Sequence, residues 1–69
     1  MNTTQQLTKR FNLLFVVHIQ TYECGRKLFT AEEGGKPSLV TVDSEGWVLI
    51  KNNDSAWWDV LGNLEGRMR

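Results

Sequence analysis

The stretch DSEGWVLIKNNDSAWWDVL, residues 43–61, decides how the rest of the chain is read. It opens on a turn, Asp43-Ser44-Glu45-Gly46, in which glycine reaches a positive φ at low cost. Trp47 to Lys51 then alternates apolar and polar side chains, the period of a half-buried strand. Leu39 to Val42, on the other side of the turn, is short and β-branched, so the two segments are expected to form an antiparallel hairpin. A polar turn, Asn52 to Ser55, leads to Trp57 and Trp58. Two readings of that segment stay open. Asp54 or Ser55 can cap a helical turn with Trp57 and Leu61 on one face. Alternatively Trp57 to Leu61 is a strand, the preferred reading because so short a segment makes a weak helix. Strand periodicity places Val48, Ile50 and Trp58 inward and Trp57 outward.

Outward from this stretch, EEGGKPS at residues 32–38 has the composition of a loop, with two glycines and a proline that keeps Lys36 out of the helical region. Arg26 to Ala31 reads as a short strand with Leu28 facing in. Cys24 and Gly25 interrupt the chain before it. Upstream, FNLLFVVHIQTY at residues 11–22 is aromatic and β-branched, and reads as a long strand preceded by a short helix or turn. Phe15, Val17, Ile19 and Thr21 share one face of that strand, and Val16, His18, Gln20 and Tyr22 the other. Two largely apolar faces call for a central position, or for cover by a helix or a partner. Residues 1–6 and 66–69 are expected to fray, with Leu64 and Met68 as the anchors of the C-terminal tail.

Sixty-nine residues allow one domain with one core. Such a core supplies about 3–5 kcal/mol of net stability. The single cysteine excludes an internal disulfide, and one cysteine with one histidine makes a structural zinc site an unusual expectation. The hydrophobic share of 41% places the chain among folded domains. The longest apolar run, Leu13 to Val17, is far below the roughly 18 residues needed to span a bilayer. The N-terminus lacks the order of a signal peptide, so a cytoplasmic protein without a membrane role is expected.

Net charge is zero but unevenly spread. Lys9, Arg10, Arg26 and Lys27 outweigh Glu23 in the first thirty residues. Residues 31–65 carry Glu32, Glu33, Asp43, Glu45, Asp54, Asp59 and Glu65 against Lys36 and Lys51 alone. The basic residues come in pairs, too few on one face for backbone-led nucleic-acid binding. The acidic middle favours a basic partner, by steering more than by affinity.

No catalytic constellation emerges. His18 and Cys24 lie about 20 Å apart on an extended strand and about 9 Å apart on a helix. Neither spacing gives the contact of about 3 Å that a base and its nucleophile need. The glycine pair Gly34-Gly35 has no downstream lysine of a phosphate loop. No cofactor is expected, and the chain is expected not to be an enzyme. The candidate partner-binding residues are Trp57, Trp47, Glu32, Glu33, Asp54 and Asp59, since exposed tryptophan makes binding hot spots and the carboxylates suit lysine or arginine on a ligand. Trp47 would either close the hairpin edge or widen an aromatic platform with Trp57.

Over residues 27–67 the order of elements resembles an SH3 domain. Leu28-Phe29 would be its opening strand, and Glu32, Glu33 and Gly34 its acidic ligand-facing loop. Leu39 to Val42 and Trp47 to Ile50 would be the next two strands, and Asn52 to Ser55 the loop before the tryptophan pair. Glu65-Gly66 falls where that family has a glycine before its last turn. The resemblance implies that Trp57 stacks on a ligand. The sequence departs from the family in lacking the groove tyrosines, the proline and the last strand, whose place residues 11–22 would take.

The expected architecture is therefore mainly β, a small antiparallel sheet or partly open SH3-like barrel with a short N-terminal helix. Three functions suit it. One is a module that binds a peptide or a basic protein surface through Trp57 and the acidic loops. Another is a small inhibitor or accessory protein of phage or mobile-element type that covers a host protein surface as a homodimer through strand 11–22. The third is a structural subunit of a larger assembly. Exposure of strand 11–22 separates the second from the first.

Overall fold

The computed structural model describes residues 3–66. The expected anchor Met68, the charges Arg67 and Arg69, and fraying at residues 1–2 and 67–69 lie outside them. One helix is followed by five strands: α1 (Thr3–Phe11), β1 (Leu14–Thr21), β2 (Lys27–Glu33), β3 (Lys36–Val42), β4 (Trp47–Asn52) and β5 (Asp59–Asn63). The strands form a single open antiparallel sheet in the order β1-β2-β3-β4-β5, so each pairs only with its neighbours in sequence.

Helix α1 includes Thr3 to Gln6, so fraying there is not observed. Leu7 and Phe11, four residues apart, share the face that meets the sheet. Lys9 and Arg10 in the last turn suit the negative end of the helix dipole. Asn12 ends the helix in the left-handed conformation at φ 57°, one of the few residues other than glycine that adopt it readily. Nine residues are too few to hold a helix in water, so α1 persists by docking. Leu7 is fully buried, and the Arg10 guanidinium donates to the Leu64 carbonyl beyond β5.

The core lies between α1 and one face of the sheet. Leu7, Leu13, Phe29, Ala31, Val40, Val42, Val48 and Ile50 are buried, with Phe11, Val16, Leu61 and Leu64 packed around them. Each fully buried aliphatic or aromatic side chain contributes about 1.5–3 kcal/mol. Cross-strand pairing aligns Phe29, Val40 and Ile50 in one row, and Val42 and Val48 in another.

The hairpin β3–β4 is the expected one. Gly46 takes φ +88°, and the Asp43 carboxylate accepts from the backbone N–H groups of Glu45 and Trp47, each at 2.9 Å. The segment expected to be a loop, residues 32–38, is instead the end of β2, a two-residue turn and the start of β3. Gly34 and Gly35 both have positive φ, the requirement of a tight hairpin turn, and Glu33 pairs directly with Lys36. Leu28 does not face the core; Phe29 does. The period of two makes these choices exclusive.

The N-terminal strand starts three residues later than expected and is an edge, not a central strand. It pairs with β2 alone and carries two irregularities, between Leu14 and Val17 and between His18 and Gln20. It joins the strand that the SH3 comparison treats as the opening one, but does not meet β5. The molecule is thus a small mainly-β domain with an open sheet. The proposed acidic ligand loop is a tight turn.

Candidate partner-binding face

The core uses one face of the sheet. Alternation sends Leu28 and Thr30 on β2, Leu39 and Thr41 on β3, and Leu49 and Lys51 on β4 to the other. Register assembles them into rows. Leu28 pairs with Thr41, Thr41 with Leu49, and Leu49 with Val60; in the next row Val17 pairs with Thr30, Thr30 with Leu39, and Leu39 with Lys51. Among the described residues no helix covers this side, since α1 lies against the core face. The three leucines are half-buried, and Thr41, paired with both Leu28 and Leu49, is nearly closed off.

Tyr22, from the β1–β2 turn, and Trp58, just before β5, stand at the borders of this face. Together with Leu28, Leu39 and Leu49 they line an open groove of about 550 Å³. Arg26 is the only charged residue in its lining among the described residues, and Cys24, an exposed free cysteine, also lines it. A groove with apolar walls and one cation suits an apolar segment that carries a carboxylate.

The tryptophan pair precedes β5 instead of forming part of it. Ser55 Oγ accepts from the Trp57 backbone N–H at 3.1 Å, and the chain turns there. Strand alternation therefore does not govern the pair. Trp57 is 77% exposed, as expected, but Trp58 is 42% exposed and lies outside the core, a correction of its inward assignment. The strand reading holds from Asp59 to Asn63, and the helical one does not.

The register also places the remaining candidates. Glu33 pairs with Lys36, Ser38 with Asn52, and Ile50 with Asp59, while the Asn53 N–H donates to the Pro37 carbonyl. Glu32, Glu33, Asp54, Asp59 and Trp57 thus share one end of the sheet. Trp47 is half-buried at the opposite end, where it pairs with Asn63, so it forms no platform with Trp57. None of these six residues lines the groove.

Sequence reasoning missed Tyr22, Leu28, Leu39, Leu49 and Arg26. The signal was present in KLFTAEE and KPSLVTV, whose alternation gives two apolar sets, but the parity of the first was assigned in reverse. His18 is exposed on β1; its Nε2 hydrogen-bonds Thr21 Oγ1 at 3.0 Å, and its ring lies 5.1 Å from that of Phe29. Among the described residues no group of three or more histidine, cysteine, aspartate or glutamate side chains is placed to hold a metal, and no helix is long and apolar enough to cross a membrane. No family model, curated protein or solved structure matches the chain.

Proposed function

We propose that the chain is a non-catalytic protein-interaction module, cytoplasmic, whose outer sheet face receives an apolar segment of a protein partner. One observation carries this reading: the sheet has two apolar faces, and the described residues cover only one. Trp58 and Tyr22 supply rigid aromatic walls, the usual anchors of a binding hot spot. Trp57 extends the contact at the rim. Glu32, Glu33, Asp54 and Asp59, gathered at the Trp57 end, steer a basic flank of the partner toward it. Arg26 takes a carboxylate on the bound segment itself.

The test is selection of peptides from a random displayed library on the full chain, followed by amide chemical-shift mapping with the peptides recovered. Shifts centred on residues 22–28, 39–41, 49 and 58 are expected. Trp58→Ala should weaken binding at least tenfold, about 1.4 kcal/mol, with an unchanged melting temperature. Peptides that map to another surface, or binding indifferent to Trp58→Ala, would defeat the proposal.

A further inference from the structure

We infer that β1 is a self-pairing edge and that the chain forms a two-fold homodimer through it. β1 is hydrogen-bonded on one side only. Its eight residues, LFVVHIQT, contain no charged side chain, and Leu14, Phe15, Val17 and Ile19 are each at least half exposed. Natural edges are usually blunted by lysine, proline, shortness, cover or bulges. The other edge, β5, is five residues long and begins with the exposed Asp59. β1 carries two bulges, but it is eight residues long and has no lysine, no proline and no cover among the described residues.

The occupant that fits is a second copy. An uncharged strand meets its own image without like-charge repulsion, and the whole chain has zero net charge. The two irregularities of β1 flank Val17 and His18. An antiparallel copy centred on Val17 sets Val17 against its own image and brings Phe15 of one chain opposite Ile19 of the other. Phe15, 74% exposed, then packs beside the partner's Ile19. The exposed parts of Leu14, Phe15, Val17 and Ile19 amount to roughly 400–500 Å² per copy, so two copies bury at most roughly 800–1,000 Å², the size of a weak specific contact.

Pairing of this kind has its axis perpendicular to the sheet. The two sheets become one of ten strands, with both outer faces on the same side. If the outer face binds as proposed above, the dimer presents two grooves to one partner; the pairing itself does not depend on that reading.

Sedimentation equilibrium on the full chain tests it, with circular dichroism as the check on folding. A monomer–dimer equilibrium with a dissociation constant of about 1–50 µM is expected. Val17→Lys and Ile19→Lys should each raise that constant at least tenfold with the thermal transition of the monomer unchanged. A wild-type chain monomeric at about 100 µM, a dimer indifferent to both lysines, or a closed ring of more than two copies would each overturn the inference. Peptide binding by the monomeric Val17→Lys variant is scored separately, so loss of one property leaves the other assessed.

Discussion

Replacing Leu7 by alanine measures how far the whole domain depends on one helix face. Leu7 is fully buried and is the only buried residue of α1. Leu→Ala at closed sites costs about 2.7–5 kcal/mol, the sum of lost transfer energy and the cavity left behind. A core of this size supplies about 3–5 kcal/mol in all. The variant is therefore left with about 0–2 kcal/mol, and its unfolded fraction becomes measurable in buffer alone. In urea, with a slope near 1 kcal/mol/M, the midpoint should fall by about 2 M or more. The assay is far-UV circular dichroism, run at low protein concentration so that self-association adds no stability. Lys9→Ala, on the exposed side of the same helix, is the control and should move the midpoint little. A loss below about 1 kcal/mol at unchanged slope would refute the reasoning, because α1 would then not be seated on the sheet.

Other substitutions probe the turns and the edge. Asp43→Ala removes the acceptor of two backbone N–H groups and should cost about 1–2 kcal/mol in urea titration, with Asp43→Asn recovering most of it. Gly46→Ala places a Cβ 3.2 Å from Glu65 Cγ and 3.3 Å from Asn63 Oδ1 at φ +88°. It should lower the melting temperature by about 5–15 °C. Phe15 holds φ +53°, which costs an L-residue about 1–2 kcal/mol. Phe15→Gly relieves that strain and should leave monomer stability within about 1 kcal/mol of wild type, whereas Phe15→Val, β-branched, should be the less stable of the two by urea midpoint.

The hairpin β3–β4 was legible because two independent signals agreed, a glycine at the turn and alternation on both sides. Residues 32–38 misled because glutamates, lysine and proline carry loop composition, while the fold needs only Gly34 and Gly35 to reverse the chain. Residues 11–22 announced apolar content on both faces, but two bulges break the expected alternation: Val17 and Gln20 pair with Thr30 and Leu28 on one face, and Thr21 turns to the other. What covers those faces is a tertiary fact, and here α1 and the core take Val16 while Phe15, Val17 and Ile19 stay outside. The tryptophan pair was assigned by the period of two, which applies only within a strand, and the pair sits just ahead of one. The gathering of Glu32, Glu33, Asp54 and Asp59 at one end of the sheet follows from strand register, which composition does not give. The groove was not recoverable, because reversing the parity of Leu28 and Phe29 hid one of its walls.

The nearest-neighbour order of the sheet has a consequence for the time course of folding. Every strand joins the one before it through a short connection, so loop closure is cheap at each step and the sheet can grow outward from either glycine hairpin. The helix stands apart from that economy. Leu7 and Leu13 are synthesised before Val48 and Ile50, which share the core with them. Until then α1 has nothing to dock on and is too short to persist alone. Helix α1 is thus expected to be the last element to acquire protection against hydrogen exchange, although it is made before the strands it docks on.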